Sequence, residues 1–255
     1  MSLIKTIYKY IMPFEWRFLL YKRRNRSEVR TLRKKVFKSD KGNFSLRHYD
    51  TTQSIFVHIT KSAGTSVAKA LYGELPYHYT AQQYRVIYGR KTFNAYYKFC
   101  FVRNPWDRLY SAFSYLKGGG WNDEDRLWAN ENLSKIESFD DFVMNWFSED
   151  QLKSHIHFWP QSKFICDRHG KPIIDDLYYF ETINEDFDTI TKKLNINAQL
   201  AHTNASKRKS YLDIYTPETI EKVRKIYYQD ITNFGYKFNG INRKTIRNKT
   251  FVDAR

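Results

Sequence analysis

Lys61, Ser62, Ala63, Gly64, Thr65 and Ser66 follow an apolar run, Ser54 to Ile59, and open a helix-like segment that reaches Leu71. A small-residue turn between a strand and a helix aims several backbone N–H groups at one point. The positive end of the helix dipole lies there too, so the turn suits a phosphate or sulfate. It is not the usual nucleoside-triphosphate loop. In that motif the lysine follows the last glycine and directly precedes Ser or Thr, whereas here Lys61 precedes Gly64. Taken alone, the turn is equally an ordinary strand-to-helix connection.

A second group of residues could hold a second anion. The stretch FVRNPWDRLYSAF puts Arg103 at the end of a strand-like run, Pro105 in a first helical turn, and Ser111 eight residues beyond the arginine. Arg108, Ser111 and Tyr115 are three and four residues apart and share a helix face. An arginine at the C-terminal edge of a strand, beside a hydroxyl, is well placed for phosphate, because open α/β sheets bind ligands at those edges. The plainer alternative pairs Arg103 and Arg108 with acids such as Asp107, and for Arg108 that pairing is expected.

Together the two segments resemble the signatures of sulfotransferases that use 3′-phosphoadenosine 5′-phosphosulfate. Arg103, Pro105, Arg108 and Ser111 fill R-x-P-x-x-R-x-x-S, and Lys61, Gly64, Thr65 and Ser66 fill the lysine-containing turn, with Thr60 where many members have Pro. The likeness continues through FWPQSKFICD, YYFETINEDF, HTNASKRKSY and DITNFGYKF, and is nearest to the carbohydrate sulfotransferases of the family-2 type. It spans residues 54–238. Golgi members also carry a membrane span and luminal disulfides, neither of which is visible here.

The resemblance implies transfer of a sulfuryl group to a hydroxyl of a sugar or glycan, with 3′-phosphoadenosine 5′-phosphate as product and no metal. It implies that Lys61 stabilises the leaving phosphate, and that Ser62, Ala63, Gly64, Thr65 and Ser66 surround the 5′-phosphosulfate. Arg103, Ser111 and Arg208 would meet the 3′-phosphate, and Tyr211 would line the nucleotide pocket. The acceptor hydroxyl needs a general base. His78, between the two motifs, is the first candidate; His58, His155, His157 and Glu181 compete with it, and a lone histidine is more often structural. Acceptor choice is expected to lie in residues 117–137 and 148–161. Two readings of other kinds stay open: a P-loop small-molecule kinase, which lacks a clear magnesium carboxylate here, and a nucleic-acid or membrane-surface module that uses basic tails.

The elements that must position these residues alternate between strand and helix, which predicts an α/β single domain with a P-loop-like, mainly parallel sheet flanked by helices. Strands are expected at 54–59, 97–102, 163–167 and 177–180. Helices are expected at 66–71, at 80–88 with Thr80 as cap, and at 106–116, closed by Gly118, Gly119 and Gly120. Further helices are expected at 138–147, 183–194 and 217–234, the last closing at Gly235. The acidic stretch to Glu137 reads as a loop over a substrate cleft.

At 255 residues, with 42% hydrophobic and 18% aromatic content, the chain can bury a proper core. The formal charge of +16 is uneven: residues 1–50 hold 14 Lys or Arg against 4 Asp or Glu, and residues 241–255 hold 5 against 1. The chain therefore divides into a basic N-terminal segment (1–50), a nearly neutral sulfotransferase-like domain (51–240) and a basic tail (241–255). No nucleic-acid partner is expected of the middle. The first segment mixes apolar residues with charges too often for a spanning helix or a signal peptide, and reads either as an anchor on anionic lipid or as helices that pack on the domain. Two cysteines, Cys100 and Cys166, read as buried thiols in a reducing compartment, which predicts a cytoplasmic protein, membrane-peripheral if the first segment is an anchor.

Overall fold

The run YKFCFV, with three aromatic residues and Val102, forms the central strand β2 (Tyr97–Val102) of a three-stranded parallel sheet. The computed structural model describes residues 14–34, 44–167, 170–201 and 209–243. β1 (Ser54–Phe56) pairs with one side of β2, Ser54 opposite Tyr97, and β3 (Asp176–Tyr179) with the other, Phe99 opposite Asp176. All three strands run the same way, so all three hand over at one edge. β1 passes through residues 57–63 into α4 (Gly64–Tyr72), β2 through Arg103 and Asn104 into α6 (Pro105–Lys117), and β3 through a short 3-10 turn into α10 (Ile183–Leu194). That edge is where an α/β sheet collects its functional residues. The sheet is thus parallel and flanked by helices, as expected.

Aromatic rings fill the core. Phe56 stacks on Phe99 at 5.1 Å, and a second cluster joins Phe113, Phe139, Phe142, Phe147 and Phe158. Ahead of the sheet lie α1 (Phe14–Arg24), α2 (Arg26–Lys34) and α3 (Arg47–Thr52). α2 buries Val29 and Leu32 and packs against α5 (Ala81–Ala95), which Thr80 caps as expected. α1 instead leaves Trp16, Leu19 and Leu20 exposed. Among the described residues no helix is long and apolar enough to cross a membrane.

Four elements depart from expectation. The acidic stretch is α7 (Asp123–Leu133), not a loop, because Asn122 caps it and Asp123, Glu124 and Asp125 suit the positive helix start. Residues 163–167 are not a strand. Gln161–Ile165 form α9, whose first N–H groups, those of Gln161 and Ser162, donate to the Asp230 carboxylate at 2.5 and 3.0 Å. The helix opening at Phe139 (α8, Phe139–Asp141) widens into a π-turn over Phe142–Trp146. The last long helix is two, α11 (Pro217–Ile226) and α12 (Tyr228–Phe234), broken at Tyr227, whose hydroxyl donates to the Phe158 carbonyl at 2.7 Å. The chain then closes with a hairpin of β4 (Tyr236–Lys237) and β5 (Gly240–Ile241).

Two buried polar side chains tie the sheet edge together. The Gln161 amide accepts from the Arg103 N–H and donates to the Arg103 carbonyl, each at 2.9 Å. Arg108, only 1% exposed, donates to the Thr60 carbonyl and hydroxyl and to the Trp159 carbonyl at 2.9–3.0 Å. Arg108 therefore contacts backbone and hydroxyl, and the expected pairing with Asp107 belongs to Arg103 instead. Gln161→Leu would leave both Arg103 backbone groups unsatisfied in a dry site. It should destabilise the protein by about 2–4 kcal/mol, read as a lowered urea midpoint with an unchanged slope.

Candidate active site

The turn between β1 and α4 is strained where it matters. Lys61 and Ala63 both adopt left-handed backbone, at φ 64° and 59°, which non-glycine residues rarely do outside functional turns. Gly64 cannot be larger: a Cβ there would lie 1.7 Å from the His58 ring, against which the start of α4 is pressed. As the first residues of α4, Gly64 and Thr65 have no intrahelical acceptor for their N–H groups. The Ser66 N–H does have one, the Ala63 carbonyl at 3.1 Å, so two rather than three N–H groups open toward an anion. Ser62 is buried, with its hydroxyl turned to Gln161 at 3.4 Å.

These residues form one wall of a cleft of about 1020 Å³. Lys61, Ala63, Gly64, Thr65, Ser66, His78, Arg103 and Ser111 all line it, so the two motifs meet. Arg103 is fixed from three sides. Its Nε and Nη2 reach Asp107 at 2.7 Å, its Nη1 donates to the Lys61 carbonyl at 3.0 Å, and its guanidinium lies 4.1 Å from the Phe180 ring centre. Tyr211 is not brought to the cleft wall; its hydroxyl donates to the Phe238 carbonyl at 2.7 Å. Arg208 lies outside the described residues.

Lys61 sits over the ring of Tyr115, Nζ 3.9 Å from the centroid. The Tyr115 hydroxyl donates to Asp125 at 2.6 Å, and Asp125 also accepts from the Trp121 N–H at 3.1 Å and meets His155 Nε2 at 3.2 Å. This chain of contacts joins the cradle lysine to α7. Asp125, His155 and His157 each offer a ligand atom within 4.8 Å of the others, the geometry of a loose cation site as well as of a hydrogen-bonded relay. No cysteine takes part. Sequence reasoning missed Tyr115 as the lysine's neighbour and Asp125 as its anchor; the three- and four-residue spacing of Arg108, Ser111 and Tyr115 was the available signal.

The base candidates separate by their hydrogen bonds. His78 Nδ1 lies 3.0 Å from the His58 carbonyl and must carry the proton, which leaves Nε2 with its lone pair. Burial, then the cations Lys61 and Arg108, lower its pKa, countered by the His58 carbonyl and Asp125. His155 uses Nδ1 to accept from the His157 N–H at 3.3 Å, so its Nε2 holds the proton facing Asp125. His58 and His157 are held well below the ordinary value by burial. Glu181, raised by burial, accepts from the Asn104 N–H at 2.7 Å and the Tyr236 hydroxyl at 3.0 Å and does not line the cleft. His78 lines the cleft with its tautomer set by the His58 carbonyl, while His58 and His157 line it with an Nδ1 that has no partner among the described residues.

The profile of the sulfotransferase family matches residues 48–237. An uncharacterized protein of Archaeoglobus fulgidus is 32% identical over 112 residues, covering 44% of this chain and 78% of that protein. No solved structure matches the chain.

The packing of Gly64 on His58 makes a coupled test. Gly64→Ala should destabilise the protein by about 2 kcal/mol or more through overpacking. Adding His58→Ala should recover part of that loss, so that the double variant is more stable than the two single effects summed, as measured by chemical denaturation.

Proposed function

The chain belongs to the sulfotransferase family, and we propose that it moves a sulfuryl group from 3′-phosphoadenosine 5′-phosphosulfate to a hydroxyl of a sugar or glycan. The observation that carries this reading is the meeting of Lys61 and Gly64 with Arg103 and Ser111 in one cleft, with Arg103 bonded to the Lys61 backbone. The residues fit such a donor. Two N–H groups open α4, Gly64 lets the start of that helix lie against His58, and a second positive group lies at the next strand end.

The donor, when bound, supplies an activated sulfur and a phosphate leaving group. Lys61 and the start of α4 hold the negative charge that develops on that phosphate, in a cleft where charge stabilisation counts for more than in water. Arg103, oriented by Asp107, and Ser111 hold the 3′-phosphate. His78 Nε2 would take the proton from the acceptor hydroxyl, whose oxygen would replace the bridging phosphate oxygen on sulfur, and the His58 carbonyl keeps the other His78 nitrogen protonated. The family profile, covering 48–237, supports residues 51–240 as the catalytic unit between basic flanks. Two free thiols, Cys100 and Cys166, support a reducing, cytoplasmic location. The exposed Trp16, Leu19 and Leu20 of α1, with Lys22, Arg23 and Arg24 in its last turn, support peripheral contact with anionic lipid.

Calorimetry should show 3′-phosphoadenosine 5′-phosphate binding without added magnesium, weakened about tenfold or more in Arg103→Ala. His78→Ala should bind it normally and lose about 10²-fold or more in kcat. In the wild type, kcat/KM should fall on the acid side at a pH below 6.5, since the base acts when neutral and burial lowers its pKa. Absence of binding, or magnesium-dependent ATP turnover, would sink the reading. Vesicles containing phosphatidylserine should co-sediment with the full chain and lose it when Trp16, Leu19 and Leu20 are replaced by Ser; equal retention would remove the membrane contact.

A further inference from the structure

We infer that the acceptor half of the cleft takes an uncharged sugar, one without uronate, sulfate or phosphate, stacked on Trp121 with hydroxyls donated to Glu124. The inference rests on the glycan reading above and narrows it.

Helix α7 and the residue before its cap supply Trp121, Glu124, Asp125 and Trp128 to the cleft. Trp121 is 71% exposed although it lines the cleft, and its backbone is pinned by the bond from its N–H to Asp125. A large indole held in water at a cleft mouth is an unusual expense of apolar surface, and it offers a flat platform for the C–H face of a pyranose. Glu124 beside it makes no hydrogen bond or ion pair with any described residue. A carboxylate accepts only, and neighbouring sugar hydroxyls supply two donors at matching spacing.

The charges decide what kind of sugar enters. Among the described residues that line the cleft, the cations are Lys61 and Arg103: Arg103 pairs with Asp107, and Lys61 lies over Tyr115, whose hydroxyl donates to Asp125. The four histidines there, His58, His78, His155 and His157, all have pKa values pushed below 6.5 by burial and are neutral at pH 7. The acceptor end is left with the carboxylates of Glu124 and Asp125. An anionic sugar beside Trp121 would meet the Glu124 carboxylate, which no described cation neutralises, and that selects against it without any added attraction for the neutral one.

The test compares two acceptors of equal length with labelled donor: an N-acetylglucosamine tetramer, and a hyaluronan tetrasaccharide in which the hexosamine alternates with uronate. The uncharged tetramer should show a kcat/KM about tenfold higher or more. Trp121→Ala should raise its KM about tenfold with kcat and nucleotide affinity little changed, and Glu124→Lys should shrink the preference over hyaluronan. Equal or better use of hyaluronan overturns the inference and leaves the glycan reading standing. Binding of the nucleotide with sulfation of neither oligomer overturns the glycan reading, and the inference with it.

Discussion

The side-chain amide of Gln161 substitutes for a strand. It bonds both the N–H and the carbonyl of Arg103, the residue at which β2 stops, and its oxygen also receives the Ser62 hydroxyl of the cradle turn. Backbone groups at a sheet edge that face protein instead of water must find partners, and one fully buried amide satisfies two of them. Gln161 is itself held by Asp230, whose carboxylate takes its N–H. Without this bolt the two anion-facing turns would rest on separate loops.

Arg108 extends the same device to the other side of the turn. Its guanidinium is buried among carbonyls and hydroxyls with no ion pair among the described residues, and burial lowers its pKa while Tyr227 and Asp230 counter the shift. A buried charge of this kind costs stability unless each donor is used, and its Nε, Nη1 and Nη2 all have acceptors. The return is geometric: Thr60, directly before the cradle lysine, cannot drift from Trp159. The second arginine of the signature is thus a fastener and the first one faces the cleft.

What the sequence made legible was local. The strand at 97–102, the Thr80 cap, and the helix from Ile183 to Leu194 follow from side-chain types within a few residues, and they stand where expected. So do the two motifs at strand ends, because parallel strands share an edge and the residues after each must meet there. The failures were of two kinds. α9 depends on a cap supplied by Asp230, sixty-nine residues away, and no window of sequence contains both ends of that bond. α7 was locally written, in Asn122 and the acids after it, but acidity was read as looseness. At the site, the choice of Arg103 over Arg108 for Asp107 turned on burial, and the tautomer of His78 turned on a carbonyl twenty residues earlier.

The hydrogen bond from Arg103 Nη1 to the Lys61 carbonyl makes the cradle a gauge of length. The carbonyl of the left-handed Lys61 accepts that bond, so the backbone of the cradle turn and the Arg103 guanidinium are fixed to each other. A ligand whose anionic groups stand at opposite ends of a rigid body can engage both. One with all its charge at a single end can engage only one of them.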